Sequence, residues 1–399
     1  MTSELMADWQ SRTIDGIRTR RAVETDWPAL RDRYARAFGG VKTHDVRAWR
    51  RQFRLEDIAV VEDVTVPGTP RLVGTAAVLR TSVTVPGGAQ LEVAACAQGM
   101  VATTHQKRGI YAKVQAELMT IALETGADVL AAMPGPGGSY AYVGVTTHTR
   151  HLRIDRARAK LRTAQWDSAS VREANVAESV GELRAVYARW QRATPGALDR
   201  AESWWPSALD PHAFVILHPD GYVVYQLLAD TVLVKDFCAV SVAAHRDLLR
   251  CLLGQGEYAE IRMDTAVDDP TPLLLEDSRA VAVTGVDEGM WTWILNLPKA
   301  IACREFRADF HGVIEVADPW GLSTGTYLLD TVDGSWTAAP DAPPDLRIGP
   351  LELTTAYFGA HTLGELERAG RVDELSPGAV TALDSALAVA RKPFNTTPF

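Results

Sequence analysis

The stretch of this sequence with the clearest chemical potential is Val101-Ala102-Thr103-Thr104-His105-Gln106-Lys107-Arg108-Gly109-Ile110-Tyr111, which lies between an apolar run and a helical pattern. A helix start leaves its first N–H groups unpaired and carries about half a unit of positive charge. It is therefore an anion site, and here it would suit a pyrophosphate. Gly109 permits close approach of the backbone to a ligand, and Lys107 and Arg108 add charge where a phosphate would sit. On residue types alone, the same stretch reads equally well as a basic, exposed helix start that follows a strand.

Other reactive side chains form no comparable pattern. Cys96, Cys238, Cys251 and Cys303 are widely spaced within apolar stretches, with no CxxC, HExxH or zinc-type spacing. That usage fits a reduced, cytoplasmic protein with buried thiols and no metal. His148 and His151 could share one side of a helix, but they fall near a predicted strand and read as part of a polar segment. The net charge of -9 argues against nucleic acid as a partner, because phosphate contacts need clustered Lys and Arg. No apolar run approaches ~18 residues, so no membrane span is expected. The first residues lack the apolar core of a secretory signal.

The elements that must position the basic turn can be read from periodicity. The 399 residues suggest two or three domains, and 47% hydrophobic with 23% charged residues is an ordinary globular balance. In a first region, to about residue 155, a helix is predicted over 26–38, with Pro28 in its first turn. Strands are predicted over 58–61, 72–85 and 91–102, separated by Pro-Gly turns. A helix from about Lys107 carries Ile110, Val114, Leu118 and Ile121 as an apolar stripe and ends at Gly126. A strand over 129–133 follows, so the order strand, helix, strand implies a parallel pair with a right-handed crossover. A second region, 156–290, repeats this mixed character loosely, with a helix over 178–192, strands over 213–217, 222–228 and 232–239, a helix over 243–253 and a strand over 257–263. A divergent structural repeat is expected. A third region, 291–399, has a helix over 297–304, strands over 313–316 and 325–329, an apolar stretch 351–358 and a helical stretch 377–390.

Gln-x-x-Gly-x at 106–110, after a strand ending in Val-Ala, resembles the acetyl-CoA pyrophosphate loop of GNAT N-acetyltransferases. The wider sequence resembles the Eis (enhanced intracellular survival) family of that superfamily. The anchors are Val-Ala-x-Thr-His-x-x-Arg-Gly at 101–109, Gly-Gly-x-Tyr at 137–140, Leu-His-Pro-Asp-Gly-Tyr at 217–222, Gly-Ala-His at 359–361 and the final Phe399. The resemblance implies a mixed-sheet α/β (α+β) chain: an N-terminal GNAT domain over 1–155, a second, degenerate GNAT-like domain over 156–290, and a sterol-carrier-protein-like domain over 291–399. It also implies a homo-hexamer. Gly99, Met100 and Val101 would contact the pantetheine. Lys107, Arg108, Gly109, Ile110, Tyr111 and Ala112 would wrap the pyrophosphate, and Gly135 and Pro136 would border the cosubstrate. Tyr111 departs from the small residue usual in GNAT loops.

The same resemblance implies direct acetyl transfer to an amine, with Tyr140 as general acid and the α-carboxylate of Phe399 as general base. A phenol, with pKa about 10, is protonated near neutrality and can donate. An α-carboxyl is a weak base until burial raises it. Taken alone, Tyr140 beside Tyr142 reads as a packed aromatic. The Pro- and Phe-rich tail reads as a segment that docks rather than frays. The acceptor-site positions implied are Phe38, Gly40, Trp49 and Pro398. Trp49 reads equally as core. Pro398, Gly39-Gly40 and Gly135-Pro136 stand where the family carries acidic residues, so an acceptor less cationic than an aminoglycoside is expected. Alternatives are acyl transfer to a biosynthetic intermediate, and non-catalytic binding of acyl-CoA or lipid.

Overall fold

The computed structural model describes residues 14–39, 45–135, 144–164, 166 and 168–399. The first part contains β1 (Ile17–Arg21), α1 (Trp27–Phe38), α2 (Val46–Arg50), β2 (Ile58–Asp63), β3 (Arg71–Thr84), β4 (Gln90–Val101), α3 (Ile110–Glu124), β5 (Val129–Ala132) and β6 (Gly144–Val145). Next come β7 (His148–Asp155), β8 (Arg172–Asn175), α4 (Val176–Arg192), α5 (Trp204–Ala208), β9 (Phe214–His218), β10 (Gly221–Leu228) and β11 (Thr231–Ala239). They are followed by α6 (Val242–Leu253), β12 (Glu260–Thr265), α7 (Thr271–Leu274), β13 (Val281–Glu288) and β14 (Trp291–Ile294). The last part holds α8 (Leu297–Cys303), β15 (His311–Val316), β16 (Gly325–Asp330), β17 (Ser335–Ala338) and β18 (Leu346–Ile348). It ends with α9 (Pro350–Phe358), α10 (Leu363–Arg368), β19 (Val372–Glu374) and α11 (Ala379–Leu387).

Local sequence accounts for the main boundaries. α1 has Pro in its first turn, and Gly39 at φ +78° closes it with a bond to the Ala35 carbonyl. β3 and β4 are joined at Gly87 and Gly88, both at positive φ, where side chains would be strained. The predicted helix from Lys107 begins three residues later, at Ile110, because Lys107 and Gly109 are left-handed and break the helical path. β1 gave no strand signal, since its sequence is Ile-Arg-Thr-Arg-Arg. Cross-strand charge explains it: Arg18 and Arg20 both bind Glu62 of β2, and Arg20 also binds Asp26 at 2.7 Å.

Among the described residues the strands form three sheets, ordered β1-β2-β3-β4-β5-β14-β6, β13-β7-β12-β11-β10-β9-β8, and β17-β16-β15-β18-β19. The first two share one topology. In each, three antiparallel pairings lead to a strand, a crossover helix and a parallel neighbour: β4, α3 and β5 in the first, β11, α6 and β12 in the second. The two sheets then exchange a strand. β7 leaves the first half to pair with β12 and β13, and β14 returns from the second half to pair with β5 and β6. The strand exchange crosses the expected divisions near 155 and 290: β7 precedes the first division yet completes the second sheet, and β14 follows the second yet completes the first. Apolar residues cover both faces of both sheets, and a further core joins the first sheet to the third through Val93, Ala95, Leu353 and Phe358. No helix among the described residues is long and apolar enough to cross a membrane.

The exchanged strand β7 carries His151, whose Nδ1 meets Asp264 of β12 at 2.6 Å and whose Nε2 meets Asp287 of β13 at 3.1 Å. The Asp264 carboxylate, joined by Asp287 and opposed by lost hydration, raises the imidazole above its ordinary value. A raised folded-state pKa stabilises fully below the unfolded value of about 6.5, and that contribution disappears as pH rises through the folded value. Urea unfolding measured across this window is therefore expected to show stability falling with rising pH, and His151→Gln to flatten that part of the curve.

Candidate active site

β4 and β5 are paired only from Val93 against Val129 to Cys96 against Ala132, after which β4 runs on to Val101 without them. A bulge drives the divergence. The β3–β4 register shifts between Thr75 and Ala77, Gln98 takes φ +53°, and Thr75 Oγ1 donates to the Gln98 carbonyl at 2.6 Å. Gly99, Met100 and Val101 lie on this freed edge, where backbone groups are available to an extended ligand. Cys96 stands at the fork. Lost hydration pushes its thiol up to about 12, so it is no thiolate nucleophile near neutrality.

The freed strand leads into the basic turn. Lys107 at φ +61° and Gly109 at φ +77° flank Arg108, and alternating handedness of this kind turns successive N–H groups toward one concavity. No side chain caps α3, whose N-cap is Gly109, and Lys107 and Arg108 are exposed. His105 fixes the turn to the rim of the first sheet: Nε2 meets Asp63 at 3.0 Å and Nδ1 meets Thr104 Oγ1 at 2.7 Å. Hydrogen bonds from Thr65 and His105 hold the Asp63 carboxyl well below the usual range.

The second half has the corresponding fork, because β11 and β12 pair only over Thr231–Leu233 against Glu260–Arg262. Its chemistry is opposite. Ser241 caps α6 by accepting from the Ala244 N–H at 3.2 Å, and the cavity of 320 Å³ at this fork is lined by Asp264, Asp268 and Asp269. An uncapped, basic helix start attracts phosphate, whereas a capped start beside three carboxylates repels it.

The second fork is instead crossed by the chain's own tail, of which Ala390, Arg391 and Phe394 line that cavity. The Lys392 N–H donates to Asp268 at 2.7 Å, and Phe394 is buried, edge-on to Trp190. Beyond it, Asn395 accepts from the N–H groups of Leu198 and Thr397, and Tyr187 bonds Thr397 Oγ1 at 2.8 Å. Arg200 donates to both Thr396 and Thr397 while pairing with Asp236 at 2.6 Å. Phe399 packs, partly buried, on the core that joins the first and third sheets.

The predicted site residues thus fall into groups. Gly99, Met100, Val101 and Lys107 through Ala112 lie together at the first fork and its turn, and Gly135 follows β5 by three residues. Tyr140, Pro136 and Gly40 lie outside the described residues. Phe38 ends α1, is 46% exposed and packs on Tyr34. Trp49 is buried against Trp27, Tyr34 and Phe53, so its packing satisfies the core reading rather than that of a pocket wall. Pro398 is exposed, and its carbonyl accepts from Trp204 Nε1. Arg200 and Asp236 were missed. Two signals could have found them: a lone Arg beside Trp204-Trp205, and an Asp inside the apolar strand Val-Leu-Val-Lys-Asp-Phe-Cys-Ala.

These forks and the third sheet define the class: two acetyltransferase folds followed by a carrier-type domain. Two acetyltransferase (GNAT) domain models match residues 18–147 and 196–294, and a sterol carrier protein domain model matches 297–396. N-acetyltransferase Eis of Mycobacterium tuberculosis is 31% identical over 389 residues, covering 92% of this chain and 95% of the relative. An uncharacterized N-acetyltransferase of Streptomyces griseus is 29% identical, covering 81% of this chain and 86% of that one. The crystal structure of Eis1 from Mycobacterium abscessus superposes with a TM-score of 0.83 at 28% identity, covering 96% of this chain and all of that one. The chain belongs to the Eis family of GNAT N-acetyltransferases.

Lys107 bears a side chain in a left-handed conformation that costs ~1–2 kcal/mol relative to the right-handed one. Lys107→Gly is expected to raise stability by about 1 kcal/mol in chemical denaturation, while removing one positive charge from the turn.

Proposed function

We propose that the chain transfers the acetyl group of acetyl-CoA directly to an amine of a small molecule or peptide, with the cosubstrate in the first fork only. The observation that carries this reading is the contrast between the forks. The first joins a free strand edge to an uncapped, basic helix start, and the second has a capped start, three carboxylates and the tail. Gly99, Met100 and Val101 would offer backbone groups to the pantetheine. The turn from Lys107 to Ala112 would hold the pyrophosphate, with Gly135 and Pro136 at the border.

In the reaction the amine nitrogen attacks the thioester carbonyl carbon, the carbon–sulfur bond breaks, and the acetyl group becomes an amide. Tyr140 gives its phenolic proton to the departing thiolate. The carboxylate of Phe399, directly or through a water, takes the proton the amine loses. Docking of the tail supports the second role, since a base must be held within hydrogen-bond reach. Pro398, Gly40 and Pro136 favour an acceptor of lower positive charge than an aminoglycoside, with Phe38 on its apolar border. A homo-hexamer, a cytoplasmic setting and the division at 1–155, 156–290 and 291–399 belong to the same reading.

The test is release of free thiol from acetyl-CoA against aminoglycosides, lysine peptides and apolar amines, using the native chain and one extended by two glycines beyond Phe399. Turnover by the native chain alone is expected, and Tyr140→Phe should lower kcat by roughly 10²–10⁴-fold. Equal turnover by native and extended chains would remove Phe399 from the mechanism. Acetyl-CoA binding without thiol release from any amine would favour an acyl-CoA-binding protein.

A further inference from the structure

We propose that the second half is the receptor for the chain's own last residues, and that Arg200 is the positioning residue that aims the carboxyl of Phe399. The inference rests on the reading of that carboxyl as the base.

The guanidinium of Arg200 is almost completely buried, with 1% of the side chain exposed. Nη1 donates to Asp236 at 2.6 Å, Nη2 to Thr396 Oγ1 at 2.8 Å, and Nε to Thr397 Oγ1 at 3.0 Å. Its faces are covered by Tyr187 and Trp204, whose ring centres lie 3.9 and 4.0 Å from the guanidinium carbon. Burial opposes the charge, but Asp236 with Tyr187 and Tyr222 more than offsets this and keeps Arg200 protonated. A planar fork with fixed donor directions sets both the position and the rotation of what it binds, which a lysine ammonium does not.

The clamp is tied to the first sheet as well. The segment before Arg200 runs beside β3: the Gly196 N–H donates to the Thr84 carbonyl, the Thr84 N–H to Ala197, and the Asp199 N–H to Ser82, at 2.8–3.0 Å. β3 also carries the bulge partner that opens the first fork. One short segment therefore relates the tail to the fork. Thr397 is two residues from the terminal carboxyl, a reach of about 7 Å. The Asn395 side chain closes on the Thr397 N–H and carbonyl, so little slack remains between clamp and carboxyl. Where the first half has a free strand edge and a basic turn for a ligand, the second holds Phe394 and the clamped threonines.

The experiment compares the native chain, Thr397→Val, Thr397→Ser, Arg200→Lys and the chain extended by two glycines. Thr397→Val leaves the Arg200–Asp236 pair in place, so it guards against simple misfolding. Three quantities are measured: kcat, acetyl-CoA affinity by calorimetry, and the rate at which carboxypeptidase releases Phe399 from the chains that end there. Thr397→Val and Arg200→Lys are expected to lower kcat about 10- to 100-fold with acetyl-CoA affinity unchanged. Phe399 release should speed up about tenfold or more as the tail opens, and Thr397→Ser should behave as native. Native release rates in Thr397→Val and Arg200→Lys would overturn the clamp whatever the acceptor. Native kcat in both, with an inactive extended chain, would overturn the clamp and leave the terminal base standing. Full activity of the extended chain would overturn the terminal base itself. Parallel loss of kcat and acetyl-CoA affinity would make Arg200 merely structural.

Discussion

The buried pair of Arg200 and Asp236 is the contact on which the assembly of this molecule turns. An ion pair removed from water forfeits hydration worth several kcal/mol per ion, and it persists only when every donor and lone pair finds a partner. Here the partners come from different parts of the chain: Tyr222 on β10, Asp236 on β11, and Thr396 and Thr397 in the tail. Satisfying one buried guanidinium therefore fixes the tail against the second sheet. Through residues 196–199 it also fixes the tail against the first. Removing either charge would leave the other unpaired in an apolar, aromatic enclosure, a far larger penalty than the pair's net worth.

The strand exchange has a related consequence. Because β7 completes the second sheet and β14 the first, the two GNAT folds cannot separate without breaking ladder hydrogen bonds in both. Their forks are held in one fixed relation, and they differ in charge and capping. The bulge at Gln98, the left-handed Lys107 and the uncapped α3 suit the first fork to an anionic ligand. Ser241, Asp268 and Asp269 make the second hostile to one. The same backbone topology thus carries opposite charge and capping at its two forks, since neither is set by the fold.

The sterol-carrier-type sheet contributes packing to this arrangement. Gly359 at φ +85° closes α9, and a β-carbon there would lie 2.7 Å from Val389. Its carbonyl accepts from Lys392, which holds the chain where it crosses the second fork. Thus the Gly-Ala-His anchor at 359–361 and the His-Pro-Asp-Gly-Tyr hairpin at 218–222, read from sequence as family marks, both act on the tail. The first steadies its entry, and the second supplies Tyr222 to Asp236.

Much was legible in the sequence because its determinants are local. The helix–meander–helix–strand order, the apolar stripe of α3, the Gly126 cap and the basic turn follow from periodicity, capping and φ preference within short windows. The family and its three-part architecture were legible because the anchors occur in order along the chain. β1 was not legible, since the strand it pairs with, β2, and the Glu62 that binds its arginines lie some forty residues away. The strand exchange was not, because β7 and β14 bear no local sign of which sheet will accept them. The clamp was not, because Arg200, Asp236 and Thr397 are far apart in sequence and meet only when three segments close on one point. Local sequence set which elements form and where the basic turn falls. Only the tertiary structure decided which sheet each strand completes and where the tail ends, because long-range pairing and burial of charge depend on neighbours that the linear order does not specify.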